Sequence, residues 1–221
     1  DLHPRVRRQR QMCIRDSFDT TASLVQLSLT FSMVGLAVGQ LVIGPLSDKY
    51  GRKKTLMASL VLFCISTIGC LYASDIYVFI FFRLLQGLSG AGGVVISKSI
   101  ATDLYEGREL TRFFSMLSSV QGIAPVCAPV LGGVLLEVTD WKGIFWILVL
   151  IGILLIMALA FFKESLNNEQ QHCGVFATFR NYIPVFQNAQ FMRYVLVQAF
   201  AMGVMFTYIA ASPFIFQEHF N

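Results

Sequence analysis

The residue best placed to do chemistry in this chain is Arg83, which lies in the apolar run from Ile80 to Leu85. Its position is too deep in that run for an ordinary loop cation. An arginine at mid-bilayer costs roughly 2.5–3.5 kcal/mol on insertion scales, and such a charge is expected to face an aqueous cavity or a carboxylate. The alternative is a structural arginine that snorkels to the outer interface.

A second group of charged residues forms a short basic turn between two apolar runs. Gly44 and Gly51 permit tight backbone geometry in this turn. Asp48 lies among its cations, which are Lys49, Arg52, Lys53 and Lys54. Because basic loops stay cytoplasmic, the turn predicts the orientation of the segments on either side. A generic loop that only sets topology is the alternative to a specific sequence signature.

Uncharged polar side chains recur at helical spacing inside the apolar runs. Such groups are expected to face protein or a water-filled cavity, and helix packing is an equally good account of several of them. The cavity-lining candidates are Gln26, Thr30, Met33, Gln86, Gln121, Gln198, Met205 and Tyr208. Gly35 and Gly39 form a separate small-residue pair that would allow close helix approach.

The segment from Gln121 to Gly133 predicts a kinked helix. Each proline in a helix removes a backbone hydrogen bond and bends the axis. A small-residue repeat at Ala124, Ala128 and Gly132 predicts a tight packing seam in the same helix. The residues that shape this segment are Gly122, Pro125, Pro129, Gly132 and Gly133.

The composition predicts a polytopic, all-α bundle of transmembrane helices. Mean hydropathy is +0.64, with 55% hydrophobic and 14% charged residues, which is outside the usual balance of a soluble domain. The net charge of +4 is concentrated in loops, so it indicates topology and not a nucleic-acid surface. The Cys and His residues show no metal-ligand or disulfide spacing, and the spans show no constellation for catalysis. We therefore expect a protein that is not an enzyme and has no metal site.

Six membrane spans are predicted, since a helix needs about 20 residues to cross the hydrocarbon core. They lie at about 22–46, 55–73, 76–102, 112–136, 142–162 and 192–216. The loops at 47–54, 104–112 and 163–191 hold most cations and are expected to be cytoplasmic. The second span is plainly apolar, which predicts a position toward lipid.

The chain is predicted to divide into four parts. Residues 1–17 are basic without an apolar core, do not match the rest of the chain, and are expected to be a non-native, adapter-derived segment. Residues 18–166 form a helical half that is expected to lack its first helix. Residues 167–190 form a cytoplasmic linker with a surface helix, and 191–221 form the first helix of a second half.

Three motifs resemble those of the major facilitator superfamily. The turn resembles its loop signature at Gly44, Leu46, Asp48, Gly51, Arg52 and Lys53, and the stretch from Arg83 to Gly90 looks like its fourth-helix motif. The segment 128–133 is similar to its fifth-helix antiporter motif, with Ala128 where Gly is more usual. Together with 161–166 and 212–214, these motifs resemble the Bcr/CflA-type (bicyclomycin-resistance) multidrug transporters. The likeness covers about 20–221, as helices two to seven of twelve.

The resemblance implies export of drug-like molecules by proton antiport in the bacterial inner membrane. Arg83 would couple protonation to the state of the cavity, and the turn with Asp103 would latch the cytoplasmic face. Small-molecule substrate, protons and lipid are the implied partners, the complete protein would be monomeric, and the proton gradient would replace any cofactor. No predicted span has Asp or Glu near its middle, so the proton carrier cannot be named. Nutrient symport and a non-transporting scaffold are the alternatives.

Overall fold

A computed structural model of the chain describes residues 18, 22–161, 184 and 186–218, and regular structure within them is helical. Six long helices follow one another: α1 (Ala22–Tyr50), α2 (Arg52–Tyr72), α3 (Ile76–Leu104), α4 (Gly107–Val138), α5 (Trp141–Ala160) and α6 (Ala189–Glu218). Residues 1–173 and 174–221 form separate compact units, so α6 is described by itself. The six predicted spans fall on these six helices, which confirms the all-α bundle.

The basic turn is shorter than predicted. Helix α1 runs through Pro45 to Tyr50, and α2 begins at Arg52. The break between them is Gly51, whose φ of 95° is in the region that favours glycine. The predicted turn of eleven residues is therefore a one-residue corner between two helices.

Four helices are long and apolar enough to cross a membrane when only the described residues are considered. They are Ser23–Tyr50, Arg52–Tyr72, Ile76–Leu104 and Trp141–Ala160. The segments 112–136 and 192–216 lie within α4 and α6, and their insertion in a membrane stays a prediction.

Glycines bring α1 and α3 into close contact. A Cβ atom on Gly35 or Gly39 would overlap the carbonyl oxygen of Leu84 or Leu88, and one on Gly87 would overlap that of Ser32. Residue numbers rise together on both helices along this seam, so the two run parallel. The small-residue pair predicted at Gly35 and Gly39 is confirmed as a packing contact.

Helix α2 has one exposed apolar face, with Val61, Ile65 and Ile68 on it, which agrees with the predicted position toward lipid. The prediction missed its other face, which is buried and polar. The helix packs against both α3 and α5, and it buries a face rich in small and polar groups: Arg52, Thr55, Ser59, Cys64, Ser66, Thr67, Cys70 and Leu71. Gly152 of α5 allows the approach of Cys64, since a Cβ there would lie 2.6 Å from its Sγ. Hydroxyl groups can enter this interior because each can bond a carbonyl of its own helix.

Helix α4 makes few contacts with α3 and α5. Ala124 and Ala128 are exposed, and a Cβ on Gly122 or Gly132 would meet no atom within 4 Å. The packing seam predicted on this helix is therefore unfilled within the described part of the chain.

The seam between α1 and α3 predicts opposite effects for two glycine substitutions in one helix. At Gly90, which has open space, alanine should stabilise the helix by roughly 0.5–1 kcal/mol. At Gly87 the same change should destabilise by roughly 1–3 kcal/mol, because the methyl group overlaps the α1 backbone.

Thermal unfolding of the 221-residue chain in detergent measures both changes. Gly90→Ala should raise the Tm and Gly87→Ala should lower it. Equal shifts of the same sign would contradict the close approach of the two helices.

Candidate functional site

The Arg83 side chain lies against aromatic rings from two helices. It belongs to α3, about 10 Å along the helix axis from Ile76. Its guanidinium carbon is 5.6 Å from the ring centroid of Phe145 on α5 and 6.0 Å from that of Phe79. These distances permit cation–π attraction, which strengthens where water is excluded.

The rings belong to a larger aromatic cluster. Phe79 and Phe145 contact each other and Trp141, with centroids 5.8–6.1 Å apart, and Phe18 lies 5.5 Å from Phe79. All but Phe18 are buried. The cluster therefore forms an apolar wall beside the Arg83 charge.

A chain of hydrogen bonds connects Arg83 to α2. Its Nη1 donates to Oε1 of Gln86 at 2.8 Å, and Gln86 Nε2 donates to Oγ1 of Thr67 at 2.9 Å. The Thr67 hydroxyl in turn donates to the Phe63 carbonyl at 2.6 Å. Every partner in this chain is neutral.

A buried donor of Arg83 has no acceptor in the part of the chain that the structure describes. Its Nε is buried without a hydrogen-bond partner among the described residues. The ion pairs found in this part of the chain also do not include Arg83. A buried donor without an acceptor is costly, so this atom is where an additional acceptor would bind most favourably.

A second cluster surrounds Arg52 at the opposite end of α2. Arg52 Nη1 lies 2.5 Å from Oδ1 of Asp48 and 2.7 Å from Oγ of Ser47, while Nε lies 3.0 Å from Oδ2 of Asp103. Arg52 is 7% exposed. Its guanidinium therefore joins the ends of α1, α2 and α3 through its fixed fork of donors.

Backbone contacts hold this second cluster in place. The N–H of Gly51 donates to the Ser47 carbonyl at 3.1 Å, and the Ser47 hydroxyl donates to the Gly44 carbonyl at 2.8 Å. Lys53 Nζ donates to the Ala160 carbonyl at 2.9 Å, and a cation there suits the C-terminal end of α5. The Arg52 cluster thus extends to a fourth helix.

The structure brings the predicted gate residues together. Gly44, Asp48, Gly51, Arg52 and Asp103 all lie in the Arg52 cluster, and Lys53 lies beside it at the end of α5.

The predicted cavity residues are more dispersed. Gln26, Thr30, Met33, Gln121 and Gln198 are exposed. Gln86 differs from the prediction, because it is only 4% exposed and bonds Arg83 and Thr67. The side chains of Met205 and Tyr208 lie outside the described residues. Gly122, Pro125, Pro129, Gly132 and Gly133 are helical positions of α4, and the side chain of Pro129 is not described.

Sequence reasoning missed Ser47, Thr67 and the two rings beside Arg83. The sequence does carry a signal for the buried face of α2. Small polar residues recur along this helix at spacings of four and seven, at Thr55, Ser59, Ser66 and Cys70. Thr67 borders this stripe. Phe79 and Phe145 carry no comparable signal among the 20 phenylalanines of the chain.

Comparison with known families agrees with this arrangement. The profile of the Major Facilitator Superfamily matches residues 11–221. The chain belongs to the major facilitator superfamily. Members of this family are membrane transporters and not enzymes, which agrees with the multi-pass helices of the fold.

Bacterial relatives of this superfamily member match over most of its length. An uncharacterized MFS-type transporter, YdgK of Bacillus subtilis, is 37% identical over 93% of the chain. A bicyclomycin resistance protein homolog of Haemophilus influenzae and the multidrug resistance protein MdtL of Escherichia coli O157:H7 are each 28% identical over 92%. The chain spans 52% of the length of each relative.

A solved transporter shares the fold of this superfamily member. The human organic anion transporter MFSD10 (TETRAN) aligns with a TM-score of 0.54 and 24% identity, covering 68% of this chain and 34% of that one. At this identity the match supports the partial major facilitator fold alone.

The Arg52 cluster predicts unequal effects for its two carboxylates. Asp103→Asn should destabilise the chain by about 1.5–3 kcal/mol, because it weakens a charged hydrogen bond between α2 and α3. Asp48→Asn should destabilise the chain less, because the Asp48 side chain is 40% exposed compared with 18% for Asp103. Exposed ion pairs contribute little to stability.

Thermal unfolding of the two variants in detergent checks this order, with Lys54→Gln as a control for the loss of an exposed cation. A larger loss for Asp48→Asn would contradict the role of Arg52 as a link between α2 and α3.

Proposed function

We propose that this chain is part of a transporter that exports drug-like small molecules in exchange for protons. The two helical halves of the complete transporter would rock around a substrate site near the bilayer midplane. The names of two relatives, a bicyclomycin resistance protein homolog and a multidrug resistance protein, support this substrate class. The bacterial relatives also support a multi-pass position in a bacterial inner membrane.

The observation that carries the proposal is Arg83, a half-buried cation whose buried Nε has no hydrogen-bond partner among the described residues. The partners that the structure shows for this charge are neutral, so an added anionic acceptor would determine how well the charge is stabilised. A carboxylate is such an acceptor when it is ionised, and its attraction is lost when it binds a proton. Arg83 would thereby make the state of the cavity depend on protonation.

The Arg52 cluster would serve as a cytoplasmic latch in the same cycle. It fixes the ends of α1, α2 and α3 to one another, and Lys53 adds the end of α5. The Asp48 carboxylate remains partly exposed at this end, where it can contact other parts of the complete protein. The prolines of α4 would shape a helix that impedes proton leak. Protons and lipid are the further partners, the gradient supplies the energy without a cofactor, and the complete protein is a monomer.

Efflux by the complete transporter tests the proposal. Arg83→Ala should reduce proton-driven efflux of a fluorescent drug from vesicles by at least about tenfold, since the residue acts at the coupling step. Arg112→Ala removes an exposed cation of α4 and should leave efflux within about twofold of the unaltered protein.

Unchanged efflux in Arg83→Ala would overturn the role of Arg83. Drug movement in the same direction as protons would instead favour the symport alternative. No movement in the unaltered protein would favour a scaffold.

A further inference from the structure

The hydroxyl of Thr67 is the buried end of the hydrogen-bond chain that reaches Arg83. Thr67 lies on α2 with 0% exposure. A hydroxyl has one proton to donate, and here the Phe63 carbonyl accepts it at 2.6 Å. The Thr67 oxygen is then left to accept a hydrogen bond, which Gln86 Nε2 supplies at 2.9 Å.

The donation from Gln86 to Thr67 fixes the orientation of the Gln86 amide group. With its Nε2 donating to Thr67, its Oε1 faces Arg83 Nη1 at 2.8 Å. The reversed amide would place an NH₂ group against a guanidinium that only donates. Thr67 therefore selects the one amide orientation that can hold Arg83.

The backbone around Gln86 is fixed independently of this chain. Gly87 contacts the α1 backbone at Ser32, and the Leu84 carbonyl contacts Gly35. The Ser89 hydroxyl donates to the Gln86 carbonyl at 2.9 Å. Because the α3 backbone is held in this way, only the side-chain torsions of Arg83 remain variable. The hydrogen bond to Gln86 restricts these torsions.

We propose that Thr67 is a positioning residue for proton coupling, acting through Gln86 to orient the guanidinium of Arg83. With Nη1 held by Gln86 and the guanidinium against Phe79 and Phe145, the direction of the free Nε is set. A carboxylate that approaches would then meet a guanidinium held in one orientation. This inference rests on the function proposed above.

Two substitutions at Thr67 separate the hydroxyl from the shape of the side chain. Thr67→Val has nearly the same shape and removes the hydroxyl, and Thr67→Ser keeps the hydroxyl. Ser66→Ala is the matched control, because the Ser66 hydroxyl is also fully buried and bonds the same Phe63 carbonyl without contacting Gln86.

The measurement compares two activities of the complete transporter in vesicles: proton-driven drug efflux, and drug-for-drug exchange without a proton gradient. Thr67→Val should lower efflux about tenfold and leave exchange within about twofold, because coupling is lost while binding remains. Thr67→Ser and Ser66→Ala should keep both activities within about twofold. If Thr67→Val does not fold, Gln86→Met breaks the same hydrogen-bond chain. It should also lower efflux about tenfold and leave exchange within about twofold.

Equal losses of efflux and exchange in Thr67→Val would overturn the inference, because they indicate a general structural defect. A Thr67→Ser variant that behaves like Thr67→Val would overturn it as well. If Arg83→Ala abolishes efflux while Thr67→Val behaves like the unaltered protein, the positioning role fails and the proposed function stands.

Discussion

A permanent charge in an apolar interior must find partners within the protein, and Arg83 imposes this constraint on the helices around it. Its partners are an amide from the next turn of α3, the rings of Phe79 and Phe145, and through Gln86 a hydroxyl of α2. Three helices therefore meet at one side chain. Since none of these partners is charged, the site stabilises the guanidinium in part, and its buried Nε has no acceptor among the described residues.

Close helix contacts make this arrangement possible. Helix α1 approaches α3 at backbone distance through Gly35, Gly39 and Gly87, and α2 fits between α3 and α5. At the other end of α2, Arg52 binds Asp48 and Asp103. Helix α2 thus carries both sites: Thr67 near one end is linked to Arg83 through Gln86, and Arg52 at the other end joins the ends of its neighbours.

The sequence predicted the helices and the grouping of charged residues around Arg52 well, because both have strong local signals. Long uncharged runs define the helices, and a glycine beside clustered charges defines the corner at Gly51. The buried polar face of α2 was missed because mean apolarity does not show which face of a helix is buried, whereas the spacing of its hydroxyls does. The contacts of Arg83 with Phe145 and of Gln86 with Thr67 join residues far apart in the chain, and one sequence without tertiary information cannot specify such pairs.

The central proposal is that Arg83 couples drug binding to proton movement in the complete transporter, by binding a carboxylate when that group is ionised. Substrate-induced proton release tests it most directly, by adding drug to the purified complete transporter in weakly buffered detergent solution. The account predicts proton release on drug binding to the unaltered protein and little or none from Arg83→Ala at saturating drug. Equal release from both proteins, or proton uptake on binding, would contradict it.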